Sequence, residues 1–241
     1  MPVYIGTRRV LLGGRRTYKD KVLSYDPIAY WTMGESAGLT AVDEVNSPSW
    51  AGTYNGGITL GQTGIGDGST CPLFDGVDGY VNVFSAALQG AFNGAEGSVM
   101  AYARMSGAGV WTDGITRVIV HCQADGYNYV NILKLNTPNN TLRWRYVAND
   151  VVEAVTLVTT SAEWMCVALT WSKAAEEVKA YYNGVQTGVT QVALGVWAGN
   201  IATALIGSFN VTPLLLWSGR EAHVALWDRV LSPSEVSDLF F

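Results

Sequence analysis

The stretch Trp164–Gly188, "WMCVALTWSKAAEEVKAYYNGVQTG", decides how this chain folds. Its first part, "WMCVALTWS", is almost continuously apolar, as a central strand covered on both faces must be. After a polar break "EVKAYY" alternates. Asn183-Gly184 then supplies the two positive-φ positions of a type I′ turn, so that "VQTGVT" returns as an antiparallel partner. A strand followed by a tight hairpin commits this region to an antiparallel sheet.

The same grammar runs outward in both directions. "GSVMAYARM" alternates Val99, Ala101, Ala103 and Met105 against Met100, Tyr102 and Arg104. "ITRVIVHCQ" and "NYVNILKLN" are separated by the turn "ADGY". "NTPNN" leads into "TLRWRYV", and "AND" links that run to "VVEAVTLV". Each pair reads as a hairpin. "TALIGSF" and "EAHVALWDRV" complete the sheets. One helix is expected, at the end: in "SPSEVSDLFF" Ser232 is the N-cap, Pro233 suits the first helical position, and Glu235 completes a capping box.

The totals agree with an all-β body. The 241 residues are 49% hydrophobic but only 15% charged, with 27 glycines and 9 tryptophans, enough for one sizeable core. No run of eighteen apolar residues exists, so no membrane-spanning helix is expected. "MPVYIGTRRVLLGGRR" has arginines where a secretory signal needs an apolar run. Cys71, Cys122 and Cys166 lack CxxC spacing and read as buried free thiols of a protein made in a reducing cytosol.

Charge is divided unevenly. Residues 1–21 carry Arg8, Arg9, Arg15, Arg16, Lys19 and Lys21 against Asp20 alone, a net +5, which leaves −10 for the rest of a chain whose total is −5. We therefore expect a basic arm over residues 1–24 and a sandwich over residues 25–241. An acidic body repels nucleic acid, so the arm's expected partner is an acidic protein surface or a neighbouring subunit.

Taken in order, "VLSYDPIAYWTMGESAGLTAVDE", "FDGVDGYVNV", the Trp164–Gly188 stretch, "LIGSF" and "HVALWDRVLSPSEVSDLF" resemble the laminin-G-like, concanavalin A-like jelly-roll domains. The resemblance covers roughly Tyr18 to Phe241. It implies a two-sheet antiparallel β-sandwich with a short C-terminal helix. The opening phrase "TYKDKVLSYDPIAYW" is similar to the version found in bacteriophage structural proteins, although Thr32 and Met33 stand where Arg-Leu commonly precedes Gly-Glu. That likeness implies a non-enzymatic virion protein, a capsid decoration or a fibre or tail component. It would be made in the host cytoplasm, anchored by the arm among other virion proteins, and self-associated. A carbohydrate-binding module of a cellular protein is the alternative.

Candidate chemistry is thin. A retaining glucanase needs two carboxylates about 5 Å apart facing one cleft, and no Glu-x-Asp-x-Glu strand occurs. Asp75 and Asp78, each followed by glycine, read as turn residues. The family often holds a structural calcium at the sandwich rim, for which Asp43, Asp75 and Asp78 are the acids in matching loops. His121 and His223 sit in strand patterns without a G-x-S-x-G elbow. Trp50, Trp111, Trp197 and Trp217 fall in loop-like settings, where exposed rings would stack on a sugar or a protein partner.

Overall fold

The structure, a computed structural model, describes residues 17–241 together with the backbone strands β1 (Val3–Ile5) and β2 (Arg8–Val10), which pair antiparallel. Helix α1 (Tyr18–Leu23) opens the body. Strands β3 (Ala29–Trp31), β4 (Thr40–Ala41), β5 (Gly52–Asn55), β6 (Ile58–Thr63), β7 (Thr70–Asp75) and β8 (Tyr80–Asn82) follow. Helix α2 (Ala86–Ala91) precedes β9 (Glu96–Met105). Next come a 3-10 turn (Ala108–Thr112), β10 (Arg117–Asp125), β11 (Asn128–Lys134), β12 (Thr141–Ala148) and β13 (Val151–Val158). The chain ends with β14 (Met165–Ser172), β15 (Glu177–Tyr182), β16 (Val185–Gln191), β17 (Thr203–Ile206), β18 (Ser218–Trp227) and α3 (Pro233–Leu239).

Two antiparallel sheets form the expected jelly roll. The front sheet runs β13-β12-β11-β10-β17-β8-β5-β4. The back sheet runs β16-β15-β14-β9-β18-β7-β6, with β3 also on β18. Strand β14 lies between β9 and β15 and is buried along its whole length, because sandwich core covers one face and helices the other. Asn183 and Gly184 both take positive φ between paired Tyr182 and Val185, as the type I′ turn requires. Asn149 and Asp150 make the same left-handed pair between β12 and β13. The inter-sheet core includes Trp31, Phe74, Trp111, Trp144, Trp171 and Trp217.

A second apolar layer lies outside the back sheet. Tyr18 and Val22 of α1 pack with Val236 and Leu239 of α3 over Met100, Tyr102, Cys166 and Tyr181. Ser232 caps α3, with Pro233 in its first turn and Glu235 closing the capping box. Two helices beyond that one also form. Helix α1 has its own capping box, Thr17 with Asp20, and buries Tyr18 and Val22 one turn apart. Residues 18–23 therefore pack as part of the body, earlier than Tyr25, where composition placed its start. Among the described residues no helix is long and apolar enough to cross a membrane.

Candidate functional site

The acids proposed for metal or chemistry are occupied by backbone. Asp75 Oδ1 accepts from the amides of Val77, Asp78 and Gly79 at 2.8, 3.2 and 3.1 Å. Asp78 Oδ1 accepts from Gly57 N at 2.6 Å, and Asp75 N donates to Gly57 O at 3.0 Å. The turn that carries the chain from β7 in one sheet to β8 in the other is thus latched to the β5–β6 turn. Burial pushes the Asp75 carboxyl up, but the backbone amides of Val77, Asp78 and Gly79 together outweigh it and hold the group below the ordinary carboxylate value. Asp43 is buried elsewhere, accepting from Tyr30 N and Asn46 N at 2.7 and 2.6 Å.

Among the described residues no three His, Cys, Asp or Glu side chains converge as a metal cluster. A rim calcium needs six or more oxygen ligands gathered round one point. Asp43 lies in a different turn from Asp75 and Asp78, each of the three accepts backbone amides, and they do not gather round one point, so they do not fit that ion.

The four loop tryptophans are not an exposed platform. Trp111 and Trp217 are fully buried, with Nε1 donating to Ser161 O at 2.9 Å and to Arg220 O at 3.3 Å. Flanking glycines and serines had suggested exposure, but the rings turn inward and cap the ends of the core. Trp50 is half-buried against that core. Trp197 packs on Phe92 and Tyr146 with centroids 5.7 and 6.0 Å away, pressed over Gly94, where any Cβ would lie 2.2 Å from the indole.

Of the basic residues expected to anchor an arm, Lys19 pairs with Glu44, and Lys21 donates to Asp238 O at 2.8 Å. Both serve the docking of α1 onto the body. Arg8 and Arg9 lie in β2, and Arg15 and Arg16 lie outside the described residues. Cys71, Cys122 and Cys166 are free and buried; burial pushes the Cys122 and Cys166 thiols up to about 12.

His223 is buried in a polar knot. Tyr30 OH lies 2.6 Å from Nδ1, while Asp67 Oδ2 and Ser69 Oγ lie 3.1 and 3.3 Å from Nε2. Nucleophilic catalysis needs serine and carboxylate on opposite nitrogens. Here both crowd one nitrogen, and Tyr18 and Tyr102 pack edge-on against the ring. Burial pushes the Asp67 carboxyl up, but hydrogen bonds from His223 and Ser69 overcome it and hold the group well below the usual range. The knot ties the β6–β7 loop to the back sheet.

The outer face of the front sheet carries a polar array that the sequence reading did not single out. Val120, Cys122, Val130, Ile132, Trp144 and Tyr146 point into the core. Their alternates His121, Gln123, Tyr129, Asn131, Arg143 and Arg145 therefore point outward. Register places His121 opposite Asn131 and Asn131 opposite Arg145. Arg145 Nε donates to Asn131 Oδ1 at 3.1 Å, Asn131 Nδ2 approaches His121 Nδ1 at 3.4 Å, and His121 Nε2 meets Gln123 Oε1 at 3.2 Å. Only a neutral imidazole protonated at Nε2 satisfies this chain. Burial pushes His121 down to about 4, opposed by the Gln123 hydrogen bond and reinforced by the Arg145 charge.

Phe209 stacks on His121 with centroids 4.4 Å apart, and the Arg145 guanidinium lies 5.1 Å over the Tyr129 ring. Among the described residues neither Arg143 nor Arg145 pairs with a carboxylate, and the buried Arg143 Nε has no acceptor. A half-buried aromatic flanked by amides and guanidinium donors can hold polar, ring-shaped ligands. The legible signal was Arg143 and Arg145 at alternate positions of "TLRWRYV".

Solved structures share the fold over 88–89% of this chain. Domain 4 of AbnA, an extracellular arabinanase from Geobacillus stearothermophilus, in complex with arabinotriose, superposes with TM-score 0.64 at 14% identity. That match covers 89% of this chain and 98% of that domain. A Trypanosoma rangeli sialidase with sialic acid gives 0.64 at 14%, covering 88% of this chain and 32% of the enzyme. The binding domain of botulinum neurotoxin serotype D gives 0.59 at 13%, covering 89% and 51%. No curated protein sequence matches this one. A family model of the concanavalin A-like lectin/glucanases superfamily, of laminin G type, matches residues 75–237. On that match, over most of its length and across both sheets, the chain belongs to the concanavalin A-like lectin/glucanases superfamily.

Proposed function

We propose that this chain is a non-enzymatic recognition domain of a bacteriophage virion, a capsid decoration or a fibre or tail component, whose front sheet binds a glycan. The array centred on Tyr129 and Arg145 carries the binding part of this reading. It presents one aromatic face, uncharged amides and guanidinium donors, which suits sugar hydroxyls and the apolar face of a pyranose. The non-enzymatic part rests on the acids and on His223, each engaged in turns or in a buried knot. The virion part, with synthesis in the host cytoplasm, rests on the opening phrase "TYKDKVLSYDPIAYW" and on the basic residues before it.

A second reading, a carbohydrate-binding module of a cellular protein, draws support from the near-complete overlap with a single domain of an arabinanase. Both readings share one test of binding. On a glycan array the intact chain binds a defined subset of sugars, and Tyr129→Ala and Arg145→Ala lose that binding at a temperature where circular dichroism shows both still folded. No binding by the parent would refute the glycan reading. Finding the chain in purified, salt-washed particles separates the virion reading from the cellular one.

A further inference from the structure

We infer that the back sheet carries a second, separate ligand site: a cleft in which Arg104 and Arg220 together bind the carboxylate of an acidic monosaccharide residue. The cleft has a volume of about 300 Å³, and its lining includes Leu73, Arg104, Met105, Ser106, Ala162 and Arg220. Arg104 and Arg220 are Cα partners directly across the β9–β18 ladder. Tyr102 and Met100, which alternate with Arg104, belong to the outer layer beneath the helices. Both arginines therefore project from the outer face, beside the patch that α1 and α3 cover and opposite the front-sheet array.

Two like charges directly opposite on one face of a sheet repel each other. Among the described residues their relief is confined to one loose, solvent-exposed ion pair on Arg104. Arg104 Nε donates to Ala162 O at 2.9 Å, and its nearest carboxylate, Glu163, stands 3.9 Å away and is largely exposed. Arg220 makes no side-chain hydrogen bond or ion pair among the described residues. Both guanidiniums are close enough to pull electrostatically on the Cys71 thiol, against the burial that raises it. In a chain with a net charge of −5, this is a concentrated positive point held in a concavity, and an anion relieves its self-repulsion.

The walls narrow the class of anion. Leu73, Met105 and Ala162 offer apolar surface that a bare inorganic ion leaves uncovered. The volume lies at the lower limit for small-molecule pockets, room for one ring rather than a chain. A carboxylate on a sugar-sized ring meets both demands, with paired N–H donors on the oxygens and ring carbons against the apolar wall. Choosing a sugar acid among carboxylates rests on the glycan reading above; the anion site itself does not.

Titration of the intact chain with glucuronate, followed by isothermal calorimetry and by NMR of arginine Nε–H signals, tests this. Saturable binding is expected, weakening with salt and falling about tenfold or more in Arg220→Gln. Arg220 has no protein partner to lose, so that variant should melt no lower than the parent. Tyr129→Ala and Arg145→Ala should leave glucuronate binding unchanged, which separates failure of the front-sheet reading from failure of this one. Equal binding of glucose, equal occupancy by sulfate alone, or unaltered affinity in both Arg220→Gln and Arg104→Gln would each overturn the proposal.

Discussion

Asp75 shows how a single side chain can organise a crossing between sheets. Its one carboxylate oxygen collects three amide donors, and Asp78 collects a fourth from the neighbouring turn. Replacing Asp75 by Ala strands those amides at a partly exposed site, and we expect a loss of about 1–2 kcal/mol in urea unfolding. Asp75→Asn, which keeps one acceptor, should lose less. Because the folded carboxyl lies below its unfolded value, its contribution is present above pH ~4 and fades as pH falls further. Retention of full stability by Asp75→Ala would show that the latch contributes nothing.

Glu221 is the opposite case. Opposite Ala103 in β9, it faces the inter-sheet core, and among the described residues no donor reaches either carboxylate oxygen. Burial raises it well above 4.5. The folded state then keeps a proton that the unfolded state releases, so stability falls as pH rises above the unfolded value. Glu221→Gln should match the parent near pH 4 and melt higher at pH 7. Parallel melting curves for the two across pH 4–8 would mean that the carboxyl finds a partner in solution. Nothing in "GREAHVALW" signals this burial, because the alternation identifies the inward position without revealing what surrounds it.

Among the elements, those governed by local rules were the most legible. The Asn183-Gly184 hairpin, the fully buried β14 and the capped α3 follow from turn chemistry, apolar continuity and a capping box, each contained in a few adjacent residues. Helix α1 was legible too, since Thr17-Tyr-Lys-Asp20 is itself a capping box, but the density of basic residues nearby suggested an arm. The front-sheet array was much harder to see. It assembles residues from β10, β11 and β12, and only the register of three strands brings His121, Asn131 and Arg145 into one row. The loop tryptophans misled for a related reason: glycine and serine neighbours report backbone freedom and say nothing of where a ring points.

The two helices act as one clasp. Tyr18 OH donates to Leu239 O at 2.6 Å, Tyr25 OH to Asp238 Oδ2 at 2.7 Å, and Trp227 Nε1 to Tyr25 O at 3.0 Å. Tyr18→Phe should cost about 1 kcal/mol for the buried hydrogen bond, and Val22→Ala about 1–2 kcal/mol for the lost methyls and the cavity. If the clasp opens as a unit, both variants should speed amide exchange in α3 as well as in α1. Faster exchange confined to α1 would mean that the helices open independently.

At the scale of the whole molecule, β13 and β16 each end one sheet, as β4 and β6 do at the opposite ends, and they lie side by side with exposed valines on both. Val185 and Val189 of β16 are 68% and 75% exposed. A hydrophobic edge strand with unpaired backbone groups is where a second copy would add. We expect the protein to self-associate, and Val185→Lys with Val189→Lys to shift sedimentation to the monomer without lowering the melting midpoint. A monomeric parent would remove that expectation.

The packing of α1 also fixes where the basic stretch can be cut without harming the body. Removing residues 1–16 leaves Thr17 to cap α1, with Tyr18, Lys19, Lys21 and Val22 all in place. The shortened protein should therefore keep the parent's melting midpoint. Removing residues 1–24 strips Tyr18 and Val22 from the outer layer and leaves Glu44 without Lys19. By the size of those losses it should be destabilised by several kcal/mol, with Tyr102 and Cys166 newly exposed. If the basic residues before α1 anchor the domain to a particle, the shorter deletion should fold normally and fail to join particles. Normal incorporation of that variant would place the anchor on the sandwich itself, and equal stability of the two deletions would show that α1 is dispensable to the fold.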